Sequence, residues 1–125
     1  MRESDLYIQV ASYLNMQYPG ISYHFDLSGV NNPSIPTRVL YSKLNGSGYP
    51  DLLIAAPRGT CSGLFLEIKV VGEKIYKRDG KTFVSDHVSA QARYLEHLQT
   101  TGYMASFGIG FDHIKMLIDG YLSHV

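Results

Sequence analysis

Tyr49-Pro50-Asp51-Leu52-Leu53-Ile54, followed after a turn by Leu64-Phe65-Leu66-Glu67-Ile68-Lys69-Val70, decides how this chain folds. Both segments are short, apolar and strand-like, and Pro57, Gly59 and Gly63 punctuate the stretch between them, which is the pattern of a hairpin. The polar residues in it are out of place. An acid opens the first segment, and Glu67 and Lys69 stand two apart in the second. Side chains alternate along a strand, so Glu67 and Lys69 share one face and Ile68 takes the other. If the two strands pair as a hairpin, Asp51 can come close to Glu67, and two carboxylates and an ammonium would then stand together at a sheet edge. Such a group is costly to desolvate, and a chain tolerates it where a cation or a reaction uses it.

Outward from this hairpin, the rest of the chain reads as alternating elements. Residues 3 to 18 have Leu6, Tyr7, Val10, Tyr13, Leu14 and Gln17 at helical spacing, and Pro19-Gly20 closes the helix. Glu3 falls on the same stripe, three and four residues before Leu6 and Tyr7. It either points at whatever the helix packs on or is a first-turn acid favoured by the helix dipole. Ile21 to Leu27 reads as a strand ending in Asp26, which either joins a metal site or caps the turn at Ser28-Gly29. Residues 28 to 48, rich in Asn, Ser, Pro and Gly around Val39-Leu40-Tyr41, read as a long loop that is either functional or a partner contact.

On the other side, Asp79-Gly80 between alternating segments predicts a second hairpin over 72 to 84. It carries Lys74, Lys77, Arg78 and Lys81, four of the eleven basic residues, with Tyr76 and Phe83 interleaved. Such a hairpin is either a charge-protected edge or a contact for a phosphate backbone. Ser85 is a candidate N-cap for a helix through Thr101, closed by Gly102, with Val88, Ala92, Leu95 and Leu98 inward. Gln91 shares that stripe, as a core amide or as a partner for the polar group on the sheet. A strand over 103 to 109 and a helix over 112 to 121 complete the chain. The result is one α/β domain over residues 1–125, with a mixed central β-sheet flanked by helices. Its order is α-β-β-β-α-β, with an extra hairpin and a C-terminal helix.

Composition bounds the function. Eleven basic and eleven acidic residues cancel, so no global charge advertises nucleic acid or a membrane surface, and any such binding is local. One cysteine, Cys61, excludes an internal disulfide and fits a reducing compartment. With no signal-like N-terminus and no membrane-length apolar run, a cytoplasmic location is expected. The five histidines lack zinc spacing, no motif ties Cys61 to one of them, and no phosphate-binding glycine loop is present. His87, near a helix start, is either close to the site or, the favoured reading, a solvated surface side chain. What remains is Asp51 and Glu67 as oxygen ligands for Mg²⁺ or Mn²⁺, with the Ile68 carbonyl between Glu67 and Lys69 to complete the protein's share. Lys69 on the same face would polarise water or stabilise charge on a phosphate, and Gln91 would orient it. Hydrolysis of a phosphodiester needs those parts and no others.

Asp51 with Glu67-Ile68-Lys69 is the PD-(D/E)xK pattern. Together with Gly48-Tyr49-Pro50-Asp51, Phe65-Leu66-Glu67-Ile68-Lys69, Ser89-Ala90-Gln91 and a helix closing at Gly102-Tyr103, it resembles the VRR-NUC family, the virus-type replication and repair nucleases, over essentially the whole chain. The resemblance is to stand-alone phage-like members and implies a restriction-endonuclease-like core and metal-dependent DNA cleavage. It implies catalytic roles for Asp51, Glu67 and Lys69, with Gln91 as the family's helix glutamine and Glu3 as its first-helix glutamate. It also implies a homodimer acting on branched DNA such as Holliday junctions or flaps in DNA repair, in the bacterial host cytoplasm if the protein is phage-encoded. The chain is less basic than phage-like relatives, and a dimer with two basic hairpins offsets that. Two other functions fit the same residues. One is a sequence-specific restriction or homing-type endonuclease that reads bases with residues 28–48, and the other is a DNA-binding module that does not cut.

Overall fold

The computed structural model describes residues 1–26, 34–44 and 48–124, with side chains for all of these except 41 and 42. In chain order the elements are α1 (Glu3–Gln17), β1 (Tyr23–Phe25), α2 (Ile35–Leu44), β2 (Leu52–Ile54), β3 (Leu64–Lys69), α3 (Asp86–Thr100), β4 (Met104–Ile109) and α4 (Gly110–Leu122). The four strands form one mixed sheet in the order β1-β2-β3-β4. The first two pairings are antiparallel and β3 runs parallel to β4, with α3 as the crossover between them.

Alternation along β3 divides the protein into two layers. Leu64, Leu66 and Ile68 face α1 and α4, joining Leu6, Val10, Leu14, Ile114 and Ile118 in the larger core. Phe65 faces the other way, against Leu95 and Leu98 of α3 and Ala105 of β4. Each fully buried aliphatic side chain contributes on the order of 1.5–3 kcal/mol, so a one-residue slip of β3 would exchange its apolar residues for its charged ones across the sheet. Glu67 and Lys69 have the parity of Phe65 and therefore lie on the α3 side.

Several expectations are met closely. Ser85 caps α3, its hydroxyl accepting from the Val88 N–H, and Gly102 follows the helix at φ +99°. The central hairpin pairs Leu52 with Leu66, a register that puts Asp51 opposite Glu67. Other expectations are corrected. The charged group is not at a sheet edge, because β4 covers the far side of β3 and every residue of β3 is buried. Gln17, expected on the inner stripe of α1, is exposed.

The predicted loop over 28 to 48 contains α2. Pro36 sits in the first turn of that helix, where a proline's missing N–H breaks no helical bond, and the Arg38 N–H reaches the Ser34 carbonyl at 3.0 Å. The described side chains of α2 are all exposed, including Ile35, Val39, Leu40 and Leu44. The ends of that predicted loop, and the expected strand end at Leu27 with its Ser28-Gly29 turn, lie outside the described residues.

The second hairpin is present but forms no regular strand. Tyr76 and Phe83 bridge, Lys77 N–H bonds the Thr82 carbonyl at 2.7 Å, and Val84 N–H bonds the Ile75 carbonyl at 2.9 Å. Among the described residues no strand of the sheet extends this ladder. Among the described residues no helix is long and apolar enough to cross a membrane.

Candidate active site

Among the described residues four polar or charged side chains are buried: Asp51, Glu67, Lys69 and Gln91, at 8%, 4%, 8% and 6% exposure. They form one cluster. Asp51, just before β2, turns its carboxylate to the neighbouring strand, where Oδ2 accepts from the Ile68 N–H at 2.7 Å. An extended residue turns its N–H and C=O to the same side, so the Ile68 carbonyl also faces the Asp51 side of β3. Gln91, on the buried stripe of α3, bridges the two charged residues of β3. Its Nε2 donates to Glu67 Oε1 at 2.8 Å, and its Oε1 accepts from Lys69 Nζ at 2.9 Å. An amide suits this place because it both donates and accepts. A carboxylate there would repel Glu67, and an ammonium would repel Lys69. Gly48, at φ +85°, lets the turn before Asp51 lie on α3, since a Cβ there would stand 3.3 Å from the Ala90 carbonyl oxygen.

From the other layer, the first turns of α1 reach the same place. Tyr7 donates to Glu3 Oε1 at 2.8 Å. Burial, then the Asp51 carboxylate, holds the Tyr7 hydroxyl far above its usual range, so it stays protonated as a donor. Burial also raises the Glu3 carboxyl, against the lowering effect of Tyr7, with Asp51 and Glu73 adding to the rise and Lys69 opposing it. The first-turn acid is therefore a member of the site's electrostatics. Among the carboxyls of the site the largest perturbation is at Glu67. Burial first, and then the Asp51 carboxylate, lift its pKa well above the carboxylate range, while Lys69 pulls it down. Two carboxylates this close in a dry setting do not both ionise without a cation.

The structure thus brings together Glu3, Asp51, Glu67, Lys69 and Gln91, with the Ile68 backbone alongside. Asp26 takes a neighbouring position, its N–H bonding the Asp51 carbonyl at 2.7 Å. Lys74, Lys77, Arg78 and Lys81 are exposed on the hairpin outside the cluster. Sequence reasoning placed Tyr7 only in the core stripe and passed over Glu73 entirely. Glu73 Oε1 accepts from the Val70 N–H at 2.9 Å, and its Oε2 lies 3.9 Å from Lys69 Nζ. Both residues carry a signal after the fact: Tyr7 is one helical turn past Glu3, and Glu73 is the next acid after Lys69. His87 is exposed, as expected, yet its Nε2 lies 3.2 Å from Gln91 Nε2.

A divalent cation fits this donor set. Glu67 Oε2 is buried with no hydrogen-bond partner, although a buried carboxylate oxygen normally has one. It stands beside a second carboxylate and on the strand side of a backbone carbonyl, all hard oxygen donors. Among the described residues no cluster of three or more His, Cys, Asp or Glu is gathered as a metal cage. The set is therefore two carboxylates and a carbonyl, which suits a cation that keeps part of its water shell.

The chain has an α/β fold with a four-stranded mixed sheet flanked by helices, an acid before β2 and an acid–lysine pair on β3. A solved structure described as a VRR_NUC domain protein shares this chain's fold with a TM-score of 0.69, covering 99% of this chain and 90% of that one at 22% identity. The resemblance read in the sequence holds at the level of the fold. No family model and no curated protein matches the chain.

Proposed function

We propose that this protein is a Mg²⁺- or Mn²⁺-dependent DNA endonuclease that hydrolyses phosphodiester bonds in branched DNA such as Holliday junctions or flaps. The observation that carries the reading is the buried cluster itself. A core that buries two carboxylates and an ammonium, and leaves Glu67 Oε2 without a partner, sacrifices stability that a reaction must repay. The likeness to a VRR_NUC domain protein supports the same reaction class.

Asp51, Glu67 and the Ile68 carbonyl would hold the cation. Bound there, it supplies Lewis-acid charge to the phosphate and acidifies nearby water. The chain's own residues do the rest. Gln91 holds the Lys69 ammonium on the Glu67 face, where its charge opposes the negative charge that builds on the phosphoryl oxygens as water attacks. The same amide restrains Glu67 for ligation, and Tyr7 restrains Glu3 near Asp51. Glu73 limits the reach of Lys69 from the opposite side.

A homodimer fits this reading. The aliphatic side chains of α2 are exposed, an arrangement that in a monomer marks a partner surface, and two copies would set two sites on a branched substrate. The unpaired Cys61 suits the cytoplasm. The test is cleavage of four-way and flapped DNA with Mg²⁺ by the wild type, Asp51→Ala, Glu67→Ala and Lys69→Ala. Loss of cutting in all three variants, with folding retained, is expected. Full activity in the Glu67 or Lys69 variant sinks the assignment.

A further inference from the structure

The hairpin between Lys69 and Gln91 combines features that phosphate attraction alone does not explain. Lys74, Lys77, Arg78 and Lys81 are all exposed, a local excess of positive charge in a chain that is neutral overall. The acid within the turn, Asp79, is an ionised carboxylate engaged in shaping the turn, and the four cations outnumber it. Its carboxylate accepts from the N–H groups of Lys81 and Thr82 and from the Thr82 hydroxyl. Tyr76 and Phe83 stack across the ladder with ring centroids 5.2 Å apart and planes 23° from parallel. Phe83 covers one face of the Tyr76 ring, and Tyr76 is 47% exposed. The ring is therefore braced by Phe83 and still half exposed.

Both ends of the hairpin are fixed to the catalytic cluster. It leaves β3 just after Lys69 and enters α3, which carries His87 and Gln91. Six residues separate Lys69 from Tyr76, a span of at most roughly 25 Å, so the ring reaches within a few nucleotides of the bond to be cut. In a continuous duplex each base has both faces covered by its neighbours, and a lone tyrosine ring gains nothing there. At a flap, an end or a branch point a base has a free face, and an aromatic ring stacks on it whatever its sequence.

We propose that the 72–84 hairpin is a base-stacking subsite for unpaired nucleotides, in which Tyr76, braced by Phe83, takes the free base face and Lys74, Lys77, Arg78 and Lys81 hold the flanking phosphates. The inference rests on the nuclease reading and narrows its substrate to DNA with single-stranded character beside the cut. The cations supply affinity for any strand, and the ring supplies the preference.

The test measures binding in EDTA, without cutting, to a blunt duplex and to the same duplex with a flap whose first unpaired base is 2-aminopurine. Wild type and Tyr76→Phe should prefer the flap and quench the probe. Tyr76→Leu keeps apolar packing on Phe83 but should weaken flap binding about five- to 150-fold, leave blunt-duplex binding nearly unchanged and abolish the quench. Lys77→Gln with Lys81→Gln should weaken both complexes and lower the salt slope of log K by about 2. Equal flap binding by wild type and Tyr76→Leu overturns the proposal. So does absence of DNA binding, or a change in oligomeric state by light scattering as the sole effect of Tyr76→Leu, which would assign the ring to a second copy. Cleavage with Mg²⁺ is read separately. Flap preference and quenching without cutting uphold the subsite and refute the nuclease reading. Cutting with a Tyr76-independent flap preference does the reverse.

Discussion

Replacing Glu67 by Gln should stabilise the metal-free protein while ending its reaction. An ordinary glutamate ionises above about pH 4.5, and burial beside Asp51 pushes Glu67 up to about 10. This is a raised carboxyl, so the usual sign for an acid is reversed. Below pH 4.5 the group is protonated folded and unfolded and has no effect on stability. Above it, the unfolded chain releases a proton that the folded chain keeps, and stability falls with rising pH until the folded group also ionises. Each pH unit in that window costs about 1.4 kcal/mol, so at pH 7 the burden is about 3 kcal/mol. Glutamine removes it and keeps the carbonyl oxygen that accepts from Gln91. Urea unfolding in EDTA should show Glu67→Gln more stable than wild type by about 2–3 kcal/mol at pH 7. The advantage should vanish near pH 4. Saturating Mn²⁺ should raise the wild-type midpoint and leave that of the variant in place, since a ligand stabilises only the state that binds it. A variant less stable than wild type at pH 7, or a gain that does not depend on pH, would refute the account of two crowded carboxylates.

Three further outcomes follow from other contacts. Gln91→Leu removes the partner of both Glu67 Oε1 and Lys69 Nζ; cleavage turnover should fall about 10- to 100-fold with DNA affinity nearly unchanged, as for other residues that orient a metal ligand. Gly108→Ala places a Cβ 2.7 Å from Ile114 Cγ1, a fully buried side chain; thermal or urea unfolding should show a loss of about 1–3 kcal/mol. Asp119 accepts from the Tyr13 and Tyr18 hydroxyls and from Lys115, and these contacts hold its carboxyl below the usual range despite its burial. Asp119→Asn should therefore cost about 1 kcal/mol at neutral pH, and the difference should shrink as pH falls through the lowered pKa of the native aspartate.

What the sequence made legible was whatever a fixed period controls. Two-residue alternation put Glu67 and Lys69 on one face, and the assumed hairpin brought Asp51 near Glu67; the register that sets them opposite comes from the structure. The 3.6-residue period put Gln91 inward from α3 and Glu3 on the stripe of α1. Neither period says which layer lies on which side, or how strands distant in sequence are ordered. That is why the cluster read as an edge feature. Only the parallel pairing of β4 outside β3 makes β3 an interior strand and removes its charges from water. Local signals also misled where tertiary context was decisive. The Asn, Ser, Pro and Gly content of residues 28–48 read as a loop, although Pro36 at the first turn of α2 costs nothing.

The missed members of the site share a physical cause. Tyr7 has the right spacing for the core, and it is in the core. Its second role arises because β2 begins just after Asp51, so the carboxylate at that end is reachable from both layers of the protein. Glu73 is invisible for the same reason: its tie to the Val70 N–H turns the chain back at the end of β3, bringing another carboxylate toward Lys69. Sequence periodicity assigns each residue one face, whereas this site forms where the sheet stops and two faces meet. A chain with the same acids and lysine in mid-sheet would keep the pattern and bury the group beyond the reach of a substrate. The end of β2, more than the spacing of the acids, is therefore what opens the cluster to chemistry.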